Sequence, residues 1–183
     1  WSPNTFFRVI SPVDGSATPF LPWAREFFLN RNAAEARGEP LFDPNANCLP
    51  SGVPRVIPTP YPLDIVQTPD AIYIGIEVMH SFRIIHMDGR PMPADFKPTY
   101  LGYSAGRWEG DVLVVDTIGF LPGLLGLEVA HGPDLHVVER FSLNADGSVL
   151  TREYVAEDSD YFVGEYRGSD ITPRSPLPFV SDT

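Results

Sequence analysis

The sequence predicts an all-β domain: an antiparallel up-and-down β-barrel, preceded by one helix and an extended proline-rich segment. Three observations carry that expectation. From Leu63 onward, short runs of β-branched and aromatic residues recur at near-regular spacing. Turn signals separate them at Pro69-Asp70, Asp88-Gly89, Gly110-Asp111 and Asp146-Gly147. No helical period interrupts them after residue 62, which points to a sandwich or a closed barrel, and the barrel is preferred.

Taken in order, residues 22–37 read as the helix. Pro22 suits its first turn, Gly38 suits its stop, and Trp23, Phe27 and Phe28 share a face. Residues 48–62 carry too many prolines for a helix or a central strand, so this stretch is expected to wrap the outside of the core. Eight strands follow at 63–67, 71–78, 82–87, 99–108, 112–119, 135–143, 148–156 and 161–167. Residues 100–120 are the clearest case, two runs joined by Glu109-Gly110-Asp111. The single domain therefore divides into a helix and wrap (1–62), a barrel (63–167) and an irregular extension (168–183). No internal repeat is present.

Composition narrows the function. With 183 residues, 43% hydrophobic and 20% charged, the chain can bury a core and lies in the globular range. A net charge of −11 with no cluster of Lys and Arg argues against nucleic acid. No apolar run approaches the roughly 20 residues of a membrane helix. The first residue is Trp1 rather than Met, which is read as a start inside a longer product, upstream of which a processed export signal could have been lost. Cys48 is the sole cysteine, so no internal disulfide forms.

Several segments carry a resemblance: Cys48-Leu-Pro-x-Gly-x-Pro-Arg55, Gln67-Thr-Pro69, Phe82-Arg83, Asp88-Gly-Arg-Pro91, Gly102-Tyr-Ser-x-Gly-Arg-Trp-Glu-Gly-Asp111 and Val138-Glu-Arg-Phe141. Together, over residues 48–141, they resemble a large family of uncharacterised, mostly exported bacterial proteins. The resemblance implies a periplasmic or secreted location and, by analogy, a lipocalin-like or calycin barrel. Two departures matter. Leu121-Pro-Gly-Leu-Leu125 stands where the family often has a polar run, and Met79-His80 where an Asp-Arg pair is usual, while His131 keeps its place. Both point to a greasier ligand.

Four histidines, at 80, 86, 131 and 136, invite a metal reading. Along one strand at roughly 3.3 Å per residue, His80 and His86 would lie about 20 Å apart, and no paired ligand spacing occurs, so no metal is expected. An acid/base role fits better, because histidine gains or loses a proton near neutral pH without a cofactor. His131 ends the apolar 120–130 run and His80 sits at a hairpin turn, which would bring both to one barrel rim. Arg83 is either an internal ion pair, with Glu77, Asp116 or Glu139 available, or an anchor for a ligand oxygen. Arg140 is expected to pair with Glu139.

Tyr103 is expected to point its hydroxyl into a pocket, with Trp108 beside it. The run from Phe120 through Leu121, Leu124, Leu125, Leu127 and Val129 is expected to be a lid, or a contact in a homodimer. Gly102-x-Ser104-x-Gly106 matches the letters of a nucleophile elbow but lies in a β-hairpin, not at a strand-to-helix turn. No nucleotide loop is present.

The function these residues suggest is a cofactor-independent acid/base enzyme of lyase, isomerase or cyclase type. It would act on an apolar, aromatic or terpenoid-like small molecule held in the barrel. His131, His80 and Arg83 would be catalytic, and Tyr103, Trp108, Glu77, Phe120, Leu124 and Leu125 would bind substrate. The alternatives are a non-catalytic carrier with the same pocket and a structural domain with a filled barrel.

Overall fold

The computed structural model describes residue 1 and residues 17–39, 43–126 and 129–176. Helix α1 spans Pro22–Glu35. Among the described residues ten strands follow: β1 Leu63–Gln67, β2 Ala71–Ile76, β3 Ser81–His86, β4 Tyr103–Glu109, β5 Val112–Ile118, β6 Gly123–Leu124, β7 Ala130–His131, β8 His136–Leu143, β9 Val149–Glu157 and β10 Glu165–Pro173. Eight of them form one curled, half-barrel sheet in the order β1-β2-β3-β4-β5-β8-β9-β10, while β6 and β7 pair only with each other. The last strand runs six residues beyond its expected end at 167, because residues 166–172 alternate buried and exposed without a break.

The sheet is mixed rather than wholly antiparallel. β3 and β4 run parallel and are registered only through Ile85 with Ser104 and His86 with Ala105. A two-residue turn can join antiparallel neighbours, whereas a parallel pair needs a crossover. The chain supplies one in residues 87–102, where Pro91, Pro93 and Pro98 cannot donate to a returning strand. Asp88-Gly89 therefore leads into a crossover and not a hairpin. Closure into a full barrel is likewise not seen, since β1 and β10 end the strand order.

The proline-rich segment lies inside the half-barrel, contrary to the expected outer wrap. Residues 51–58 are all buried, and Val53, Val56 and Ile57 belong to the same core as Leu63, Ile72, Ile85, Val115 and Tyr154. Each such side chain gains about 1.5–3 kcal/mol on burial. Proline makes this possible, because it brings no backbone N–H that would need a partner in the core. Of the donors that remain, Val53 N–H bonds the Tyr100 carbonyl at 3.3 Å, Val56 N–H the Gly52 carbonyl at 2.8 Å and Ile57 N–H the Pro54 carbonyl at 3.4 Å. Arg55 closes the segment with a two-pronged pair to Asp43, at 2.8 and 3.0 Å.

Helix α1 packs outside the sheet, but not on its expected face. Ala24, Arg31 and Ala34 are buried, whereas Trp23 is 47% exposed and meets Tyr161 edge-on at 4.7 Å. Phe20 links the helix to the sheet, 5.2 Å from Phe28 and 5.9 Å from Phe162.

Candidate ligand-binding site

Strand alternation places four charges on the inner face at positions otherwise taken by apolar residues. Arg83 on β3, Glu139 on β8, Arg152 on β9 and Asp170 on β10 are all buried, two cations against two anions. Arg83 bonds both oxygens of Glu139, and also Ser104 Oγ at 3.1 Å and Thr117 Oγ1 at 3.0 Å. Arg152 reaches the other side of Glu139 at 2.9 Å, pairs with Asp170, and donates to the Pro54 carbonyl of the inner segment at 2.9 Å. Burial alone would raise the Glu139 pKa, but the attraction of Arg83 and Arg152 outweighs it and holds the carboxyl below its ordinary value. The guanidinium of Arg83 is thus committed inside the protein. Three of the segments quoted above, at 82–83, 102–111 and 138–141, converge on this network.

Arg140 does not pair with Glu139. Successive residues on a strand face opposite sides, so Arg140 points outward and meets Glu109 at 2.9 Å. Glu109 also accepts from Arg107 at 2.7 Å.

A cavity of about 410 Å³ lies where β3 and β4 part. Register would set Arg83 opposite Gly102, but Gly102 has φ +66° and turns the chain away there. Only glycine fits. An added Cβ would lie 2.8 Å from the Ile118 carbonyl oxygen and 2.8 Å from Thr117 Cγ2. The divergence opens a groove with Arg83 and Ser104 in its lining and Phe82, Ile84, Phe96 and Tyr103 among its apolar walls. Phe82 and Ile84 are 56% and 41% exposed. Tyr103 is fixed by donating its hydroxyl toward the Arg90 and Pro91 carbonyls, each at 3.2 Å, and by Phe96 edge-on at 5.6 Å.

His86 lines this groove, stacked on Tyr103 at 4.8 Å. Burial and then the Arg90 charge lower its pKa, with Asp88 opposing, so the imidazole is neutral at neutral pH. Among the described residues its ring nitrogens make no hydrogen bond. Sequence reasoning passed over His86 as part of a failed metal pair. Its place at the end of β3, after Phe82 and Ile84 on the same strand face, was the available signal.

The other predicted site residues lie elsewhere. His131 is buried, donates through Nδ1 to the Gly132 carbonyl at 2.9 Å, and meets Phe120 edge-on at 5.8 Å. Burial pushes its pKa down to about 4. Phe120, Leu124 and Leu125 are wholly buried, so the expected lid is a core hairpin built on β6 and β7; of that run only Leu121 reaches the groove, and Leu127 lies outside the described residues. His80 and Glu77 are exposed at the turn between β2 and β3. Trp108 lines a second, smaller groove of about 210 Å³ with Trp1, Ile65 and Leu143. His136 bridges Asp116 at 3.0 Å and Glu157 at 3.6 Å.

Comparison with protein-family models, with curated proteins and with solved structures finds no match to this chain. Among the described residues, no group of three or more His, Cys, Asp or Glu stands together as a metal set, and no helix is long and apolar enough to cross a membrane.

Proposed function

We propose that the protein binds an apolar small molecule in the groove between β3 and β4, as a non-catalytic carrier on a lipocalin-like, calycin-type sheet. The observation that supports this is the groove itself. Its volume of about 410 Å³ falls in the roughly 300–1,000 Å³ range of ligand sites. Phe82 and Ile84 stay exposed on its wall, a cost that an apolar ligand would remove. Residues 51–58, by contrast, are buried in the core of the curled sheet. The sequence resemblance noted over residues 48–141, to an exported family, would suit a carrier.

The test is binding of N-phenyl-1-naphthylamine, an uncharged apolar fluorophore. Ile84→Asp is expected to weaken uptake at least tenfold, and Trp108→Ala, in the second groove, to leave it within about twofold. Equal loss in both variants, or none in either, contradicts the proposal.

A second function, a cofactor-free lyase, isomerase or cyclase working by proton transfer, is favoured by the neutral and uncommitted imidazole of His86. His86 would take the acid/base role expected of His131 or His80, neither of which lines the groove. In that case His86→Ala lowers turnover by about 100-fold or more. A variant within about threefold of the parent in turnover rejects it.

A further inference from the structure

Two features of the groove define its ligand more narrowly. First, among the described residues Arg83 is the only Lys or Arg in its lining, and its guanidinium bonds to Glu139, Ser104 and Thr117. Arg90, whose charge reaches His86, stands outside the lining and is paired with Asp88, so a carboxylate or phosphate would enter with no free cation in the lining to meet it, and an unpaired charge away from water is strongly disfavoured. Second, His86, like the hydroxyl of Tyr100, is a polar group of the lining that makes no hydrogen bond among the described residues. A purely hydrocarbon ligand covering it would strand a donor and an acceptor. A ligand hydroxyl answers one of them.

The walls add a shape. Phe82 stacks on Tyr73 at 5.8 Å, Tyr103 stacks on His86 at 4.8 Å, and Phe96 meets Tyr103 edge-on at 5.6 Å. Rings already pair on rings here, and a flat aromatic guest extends the same packing.

We infer that the groove selects an uncharged aromatic molecule bearing a hydroxyl, a phenol-type ligand whose ring packs on Phe82 and Phe96 and whose hydroxyl bonds to the His86 imidazole. This rests on the proposed binding function and makes His86 the residue that sets specificity.

The experiment compares three probes of one ring system at neutral pH: 1-naphthol, naphthalene and 1-naphthoate. Binding to the wild type, His86→Phe and His86→Leu is followed by calorimetry, and the fold of each variant is checked by circular dichroism. The wild type is expected to prefer 1-naphthol over naphthalene by at least about fivefold, the worth of one net hydrogen bond, and to take 1-naphthoate weakest of all. Both variants are expected to bring the naphthol-to-naphthalene ratio to within twofold of unity. Equal binding of naphthol and naphthalene, tight binding of naphthoate, or a preference that survives both substitutions overturns the inference while leaving a binding groove in place. Uptake of none of the three by the wild type removes the binding function itself, and the inference with it.

Discussion

Glu139 shows how much rests on single side chains in this interior. It has no solvent contact and is shared by Arg83 and Arg152, so its removal leaves two buried guanidinium groups short of a counter-charge. Glu139→Gln is expected to cost about 3–5 kcal/mol in equilibrium urea unfolding, the usual result of breaking a buried ion pair from one side. Glu109→Gln, at a solvent-exposed cluster with Arg107 and Arg140, is expected to cost far less. His131 gives a pH signature. Its folded pKa of about 4 lies below the ordinary 6.5, so between those values the unfolded chain binds more protons and stability rises with pH. As pH falls from about 6.5 toward 4, on the order of 3 kcal/mol is lost through this residue. His131→Asn keeps a donor for the Gly132 carbonyl but cannot take up the proton. The fall in urea midpoint between pH 7 and pH 5 should therefore be visibly shallower in the variant, and an unchanged slope would contradict the burial argument.

Strands were the part of the fold most open to sequence reading, since alternation in β8 and β9 is carried by the side chains themselves. The same alternation contained the ion network. Glu139 stands between Val137 and Phe141, and Arg152 between Leu150 and Tyr154, charged residues at core positions. Attending to chain neighbours instead of strand faces led to the wrong partner for Glu139. The parallel step from β3 to β4 was hidden because prolines mark loops without saying whether the chain reverses. The inner path of residues 51–58 was hidden for a similar reason: proline forbids the ladder, yet it also removes the donors that make burial costly. Gly102 is the element-level device that opens the groove. Gly102→Ala is expected to cost about 1–2 kcal/mol from backbone handedness alone, with crowding against Ile118 and Thr117 added. Gly110 has a similar φ of +61° but nothing within 4 Å of an added Cβ, so Gly110→Ala should show the strain without the crowding. Equal thermal shifts for the two variants would contradict the close approach at Gly102.

In the molecule as a whole, residues 51–58 are buried in the core of a half-barrel, and a ligand-sized space of about 410 Å³ lies at a split in the sheet. Its candidate site was legible only in part. Arg83 and Tyr103 were singled out and do line the groove, but the expected histidine partners were chosen by their neighbours in the chain. His131 follows an apolar run that becomes core, and His80 sits on an exposed turn. His86 was weighed only as a metal ligand, because a lone histidine at a strand end carries no motif of its own. The divergence that gives it a cavity is a long-range consequence of the 87–102 crossover. Amide chemical-shift mapping during titration with 1-naphthol bears most directly on where a ligand goes. Saturable shifts are expected at residues 82–86 and 98–104 and at Leu121, with Val53, Val56 and Ile57 unmoved. Shifts centred on Val53, Val56 and Ile57, or on Trp1 and Trp108, or none that saturate, would contradict binding at the β3–β4 groove.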